Sequence, residues 1–503
     1  MKKNLSPYIP YAILVFLSLA VYLNCLGNSF VADDLPVLVN NPALKEPQFA
    51  LYQFPIFLRH LQYFLTFKFF GLNVTAFRIP NLLWHTGFVL TSFAVLKKVL
   101  SDKARFFETA PFWATAVLAV HPLQSEAVVW ITGGSYVLYA FLLMLGLLCY
   151  IKGQQENSPK YYWATFGIFL LSLTASEKAA VFPLIIIAYE LGFSNLKKNW
   201  KRVLPFFLIS LGYTGYFAAQ IPQRLAGIGA PETQETLSSI FQVPAAISSY
   251  LELIAWPAKL TLYHSEMIFS KIQMSFKIGV TLIFGGLTVA AFFKKARPLF
   301  FWFAFFIIVL LPTLTPLGIS WIVAERYVYP AGIGIYAVFF TLLTKLKIPP
   351  EFKKILLPAI GSLLVLILFF RTITRNLDWK TADALWLSAE KISLHSPQNH
   401  NNLGDYYGRQ GNLLKSVQEF ETAIALKPGY ADAYHNLANT YQQMGNLGKA
   451  EKNYLKAIEY NPYLWQSYQN LGAIYFNAGE YEKAKAMFEK ALQINPGNAN
   501  YEK

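Results

Sequence analysis

The stretch Asn436–Pro462, NLANTYQQMGNLGKAEKNYLKAIEYNP, decides how the chain is read, because its landmarks recur every 34 residues. Asn402-Leu403-Gly404, Asn436-Leu437-Ala438 and Asn470-Leu471-Gly472 share one register, and Tyr407, Tyr441 and Tyr475 follow them. Gly411, Gly445 and Gly479 keep the interval, as do Ala423, Ala457 and Ala491, and Pro428, Pro462 and Pro496. Glycine allows a tight turn between two helices, and small residues let the paired helices approach. Proline falls where the second helix stops, since it cannot continue one. Five coincident positions at this period predict about three stacked helix pairs over residues 395–503. Residues 378–394 read as a linker helix ahead of them.

The helix pairs have the length and landmarks of tetratricopeptide repeats, so the tail is an α-solenoid of the kind that binds proteins. Upstream the composition changes. The whole chain of 503 residues is 55% hydrophobic and 14% charged, against about a quarter charged in an ordinary soluble domain. That excludes a single soluble globule and a disordered chain. The net charge of +15 is unevenly placed. Residues 378–503 hold 12 Lys and Arg against 13 Asp and Glu, whereas residues 1–377 hold 31 against 15. The basic excess lies in the greasy part, so nucleic-acid binding is not expected. Cys25 and Cys149 sit in apolar runs and predict neither a disulfide framework nor a cysteine metal site.

Residues 1–377 contain apolar runs near 8–26, 79–97, 109–129, 135–152, 161–176, 178–194, 203–220, 242–256, 277–293, 299–317, 328–346 and 355–371. The first follows Lys2 and Lys3 and reads as a signal anchor. Clusters such as Lys97-Lys98-Lys103-Arg105, Lys197-Lys198-Lys201-Arg202 and Lys294-Lys295-Arg297 all fall on one side if 242–256 does not cross. About eleven spans result, with the N-terminus cytoplasmic, outer loops near 27–78 and 221–276, and the repeats outside. This topology gathers the acids and histidines at the outer face: Asp33-Asp34, His121, Glu126, Glu177-Lys178, His264 and Glu325-Arg326-Tyr327. Ionisable groups beside membrane helices are costly and mark function by default. Each also has a structural reading. Asp33-Asp34 suits a helix cap, His121-Pro122 a helix end, Glu126 a solvated end and Glu325-Arg326 an internal ion pair.

With Phe30-Val-Ala-Asp33-Asp34, Asn40-Asn41, His121-Pro122, Glu126-Ala127-Val128 and Glu325-Arg326-Tyr327-Val328-Tyr329-Pro330 in place, nearly the whole chain resembles the O-mannosyltransferases with transmembrane and tetratricopeptide segments. These belong to the GT-C class, and a bacterial or archaeal relative is expected. The match departs in two places. Gly133-Gly134-Ser135-Tyr136 stands where the family tends to have Gly-Arg-Ala-Asp, and Ser176-Glu177-Lys178 stands for its Ser-Lys-Glu. The resemblance implies an all-α fold: a polytopic GT-C bundle followed by the solenoid. It implies an inverting glycosyltransferase on the extracytoplasmic face of a cytoplasmic membrane, using a polyprenyl-phosphate sugar. The acceptor is a hydroxyl of a protein or surface polymer, with the repeats holding the acceptor or a partner. Asp34 or Asp33 is the expected base and Arg326, with Lys178 or His264, the expected phosphate ligand. His121, Glu126, Glu325 and Tyr327 support them, and neither metal nor cofactor is expected. Two alternatives stand beside this: a lipid-diphosphate glycan ligase using Arg224, His264 and Arg326, and a catalytically degenerate scaffold displaying the repeats.

Overall fold

The computed structural model describes residues 7–52, 54–100, 105–221, 239–264, 269–314 and 322–496. Lys2, Lys3, Lys103 and Arg224 lie outside the described residues. Every regular element among the described residues is helical. The chain divides into two compact units, one ending at Ala384 and one built mainly from Leu385 onward.

The first unit contains α1 (Ile9–Ala20), α2 (Leu58–Phe70), α3 (Val74–Leu100), α4 (Ala110–Val120), α5 (Ser125–Val129), α6 (Gly134–Glu156), α7 (Pro159–Ala175), α8 (Phe182–Phe193) and α9 (Leu196–Ala218). Further helices follow at Ser239–Ala255, Lys271–Phe293, Arg297–Leu310, Glu325–Val328, Gly332–Thr344 and Pro350–Asp378. Four are long and apolar enough to cross a membrane: Val74–Leu100, Gly134–Glu156, Lys271–Phe293 and Glu351–Asp378. The protein is an integral membrane protein. α6 packs against α3 and α7, and α4 against Gly332–Thr344, so α3, α4 and α6 form the centre.

Three expected runs are not single helices. The 109–129 run breaks at His121, which is extended (φ −74°, ψ 130°). The break follows from Pro122, which disfavours a helical residue before it and offers no N–H. The 178–194 run opens as a 3₁₀ turn over Glu177–Val181 before α8 begins at Phe182. The 328–346 run is interrupted between Val328 and Gly332. These irregular points carry the charged residues. The segment between α1 and α3 also holds a helix, α2, that its mixed composition did not announce.

Helix Ala382–Glu390 spans the division, and the second unit continues as three helix pairs: Pro397–Arg409 with Leu413–Leu426, Ala431–Gln443 with Leu447–Tyr460, and Trp465–Asn477 with Tyr481–Ile494. The recurring residues have distinct tasks. A Cβ at Gly404 would stand 2.7 Å from the Phe420 ring, and one at Gly472 2.7 Å from the Phe488 ring. Asn436 Nδ2 donates to Asn401 Oδ1 at 3.0 Å, and Asn470 Nδ2 to Asn439 Oδ1 at 2.9 Å. Tyr441 and Tyr475 donate their hydroxyls to Glu421 and Glu451, each on the helix before. Gly445 ends its helix at φ +74°, a conformation that costs an L-residue about 1–2 kcal/mol. Gly445→Ala is therefore expected to lower the stability of the repeat unit by about that amount, read as an earlier loss of helical signal on heating. An unchanged midpoint would count against it.

Candidate active site

A cavity of about 630 Å³ opens in the first unit. Its charged wall is built from four separated segments: Asp33 from the loop after α1, Arg59 from the start of α2, Glu177 and Lys178 from the 3₁₀ turn, and Arg326. Trp130, Thr132 and Tyr136 complete the side nearest α6.

The adjacent aspartates part company. Asp33 is exposed and lines the cavity. Asp34 is fully buried. Its Oδ1 accepts from the Thr132 backbone N–H at 2.9 Å and its Oδ2 from that of Val31 at 3.2 Å. Burial pushes its carboxyl up to about 6, against the pull of those two N–H groups and of Arg78. Asp34 thus pins the loop bearing Asp33 to the loop bearing Thr132. Arg78, also buried, fastens the same region by donating to the carbonyls of Val129, Asn28 and Ser29. Asn81 Nδ2 reaches the carbonyls of Val128 and Trp130. At Gly134 a Cβ would fall 1.9 Å from Asn81 Oδ1. Gly134 is thus what lets this loop run against α3.

Arg326 pairs through Nη1 with Glu126 Oε1, while its backbone N–H donates to Glu126 Oε2 at 2.8 Å. Glu126 is fully buried, so it is a ligand of Arg326 rather than a solvated end. The guanidinium lies 5.4 Å from the Trp130 ring centre and 5.0 Å from that of Tyr327. Lys178 Nζ meets Glu177 at 2.8 Å and stands 5.1 Å from the Tyr136 ring centre. Tyr136 and Tyr327 are themselves neighbours, with ring centres 5.8 Å apart.

The remaining expected residues lie elsewhere. Glu325 does not pair with Arg326; it turns to Arg375 Nη2, 3.2 and 3.3 Å from its two oxygens, and both side chains are fully buried. His121 is buried with Nε2 3.1 Å from the Ile254 carbonyl, and its Nδ1 accepts from the Leu123 N–H. His264 belongs to the second compact unit, not to the unit that holds the cavity. Arg59, Trp130, Thr132 and Tyr136 line the cavity and were not singled out from sequence. Arg59 donates to the Thr132 carbonyl at 3.3 Å. Its one available signal was being a cation in a segment assigned to the acid-rich face.

Among the described residues no group of three His, Cys, Asp or Glu is placed to hold a metal ion. Chemically, the cavity joins an exposed carboxylate, two cations already paired with acids and a third cation on aromatic walls. That set suits a hydroxyl nucleophile and a leaving phosphate.

Two tetratricopeptide-repeat family models match, over residues 396–462 and 465–498. The chain is 25% identical over 447 residues to protein O-mannosyl-transferase F38B6.6 of Caenorhabditis elegans, covering 83% of this chain and 63% of that protein. It is 22% identical to human protein O-mannosyl-transferase TMTC1, covering 86% of this chain and 56% of that one. The chain thus spans under two thirds of these relatives' length. Among solved structures, ArnT from Cupriavidus metallidurans bound to undecaprenyl phosphate aligns over 97% of this chain and 78% of its own, at 11% identity and a TM-score of 0.40. MamA aligns over 24% of this chain and 71% of its own, at 30% identity and a TM-score of 0.22.

Proposed function

We propose that this chain, related to the protein O-mannosyl-transferases that carry tetratricopeptide repeats, transfers a sugar from a polyprenyl-phosphate donor to a protein hydroxyl at the extracytoplasmic face. The observation that carries the reading is the cavity itself. Asp33, Lys178 and Arg326 stand some 145 residues or more apart in sequence, yet they share one wall with Arg59.

The proposed chemistry is a single displacement. The acceptor oxygen forms a bond to the anomeric carbon while the bond from that carbon to the phosphate oxygen breaks. Asp33 takes the hydroxyl proton, and the configuration inverts. The carbon passes through an oxocarbenium-like state, so the barrier depends on removing that proton and on receiving the charge that builds on the phosphate. Arg326, Lys178 and Arg59 supply that reception. Their aromatic neighbours keep the cations poorly hydrated, which strengthens each contact.

The charge balance favours a monophosphate donor over a diphosphate. Glu126 and Glu177 already offset Arg326 and Lys178, which leaves Arg59 as the cation facing Asp33. Such a wall matches the one charge of a phosphodiester better than the two of a diphosphate diester. The scaffold alternative gives no reason for charged residues to converge on a cavity in the membrane unit.

The test offers membranes containing the protein either polyprenyl-phosphate mannose, after the relatives' names, or a polyprenyl-diphosphate sugar. A gain of one hexose on acceptor protein, from the monophosphate donor alone, is the expected result. Transfer from the diphosphate donor would favour the ligase reading, and transfer from neither would favour the scaffold. The proposed topology, with about eleven spans and the repeats outside, is checked by cysteine labelling of Lys347 and Tyr463 positions from either side.

A further inference from the structure

A second cavity, of about 300 Å³, lies between α6, α7 and α9. It is far from the first along α6. Ser135 and Tyr136 at the helix start line the first cavity, and Gln154 near its end lines the second. Eighteen residues separate Tyr136 from Gln154, roughly 27 Å at 1.5 Å per residue. That nearly spans the ~30 Å hydrocarbon core of a bilayer. The two cavities therefore open toward opposite leaflets.

The second cavity is cationic. Lys201 and Arg202 line it, and neither makes an ion pair among the described residues. Arg202 is oriented by neutral partners: Nη1 lies 3.5 Å from Gln154 Oε1 and Nη2 3.5 Å from Asn157 Oδ1. The Tyr162 hydroxyl donates to the Arg202 carbonyl at 3.3 Å. Ser158 begins α7 without capping it, so its hydroxyl and the positive end of a 17-residue helix both belong to this wall. The nearest acids do not neutralise the cations. Glu190 is buried and held by the Tyr150 hydroxyl at 2.7 Å and by Asn199 Nδ2 at 2.8 Å; Glu156 is exposed at the end of α6. Two exposed tryptophans touch lining residues: Trp163, 66% exposed, packs on Tyr162, and Trp200, 49% exposed, lies under Lys201 Nζ. Exposed tryptophans at a helix end mark the headgroup level of a bilayer.

The geometry points to a binding site for the phosphate headgroup of an anionic membrane lipid, in the leaflet opposite the sugar-transfer cavity. Arg202 and Lys201 bind the phosphate, Ser158 and the α7 N-terminus add donors, and the acyl chains lie along the apolar flank beside Trp163 and Trp200. The site is independent of the transfer reaction: it holds if the first cavity has another substrate.

Native mass spectrometry of the full chain in detergent, titrated with phosphatidylglycerol, phosphatidylcholine or inorganic phosphate, tests this. One tightly retained phosphatidylglycerol is expected, with at least tenfold weaker retention in the Lys201→Gln/Arg202→Gln protein. The Lys201→Arg/Arg202→Lys protein retains it, and so does a Lys345→Gln/Lys347→Gln control. Equal losses in the control would reduce the effect to diffuse surface charge and overturn the proposal. Displacement of the lipid by inorganic phosphate at equal concentration would assign the site to a free anion and overturn the lipid assignment. Equal retention of phosphatidylcholine would overturn the requirement for an anionic headgroup.

Discussion

Asp33→Asn is expected to reduce sugar transfer by about 10²–10⁴-fold, the usual worth of a positioned general base, with the protein still folded. Its side chain is exposed and lines the cavity, so the substitution removes a proton acceptor and no packing. Asp34→Asn is expected to behave differently. Asn keeps one acceptor oxygen but turns an amide N–H₂ toward a backbone N–H of Thr132 or Val31. One buried donor then loses its partner, which costs about 1–3 kcal/mol, and the loop under Asp33 loosens. The pH dependence separates the two further. The folded protein holds a proton on Asp34 between the usual 3.8 and about 6, where the unfolded chain does not. The stability from Asp34 is therefore full below 3.8 and is lost as the pH rises to about 6. Activity runs the other way, since the ionised carboxylate accepts both N–H bonds more strongly than the protonated acid does. Transfer by the natural protein should thus rise through pH 6, and Asp34→Asn should lose that inflection. Full transfer by Asp33→Asn would sink the base assignment. An unchanged rise near pH 6 in Asp34→Asn would sink the brace.

The repeats were legible because a solenoid writes its packing into the sequence at a fixed period. Each Gly, Asn and Tyr that recurs at 34 residues meets the same environment three times. The membrane unit has no such redundancy. Its long helices were visible as apolar runs, and so was the turn at Ser176, but the breaks at His121 and Tyr329 were read through, because hydropathy averages over a short interruption. Of these three, the turn at Ser176 lines the cavity, through Ser176, Glu177 and Lys178. The chemistry of the wall was partly readable: carboxylates and cations beside apolar runs are rare enough to notice, and Asp33, Lys178 and Arg326 were noticed. What sequence could not separate was Asp33 from Asp34. Adjacent residues on a turn face opposite ways, and only the fold shows which one points into the cavity. Glu325 and Arg326 repeat the lesson, since neighbours of opposite charge read as a pair and instead find partners 50 and 200 residues away. Arg59 went unnoticed because a lone arginine carries no spacing to test, and Tyr136 was met only as a departure from the family's Gly-Arg-Ala-Asp.

Arg375→Met is expected to destabilise the membrane unit by about 3–5 kcal/mol, the cost of leaving one member of a buried ion pair without its partner. Arg375 and Glu325 are both fully buried, and the guanidinium also reaches Asp378 at 2.9 Å and lies 5.8 Å from the Trp379 ring centre. Removing it takes from the buried Glu325 carboxylate a guanidinium 3.2 Å away. The double change Arg375→Met/Glu325→Leu should cost less than Arg375→Met alone, because apolar residues of similar volume can replace such a pair at little cost. Thermal unfolding in detergent reads both. The effect extends to the cavity, because Glu325 and Arg326 share a four-residue helix. Glu325 ties that helix to Pro350–Asp378, while Arg326 projects from it to Glu126. If the tie positions Arg326, Arg375→Met should reduce transfer at temperatures where the protein remains folded, and the double change should restore only the stability. A single variant as stable as the natural protein would remove the ion pair from the account. A stable double variant with full activity would mean that Arg326 holds its place through Glu126 alone.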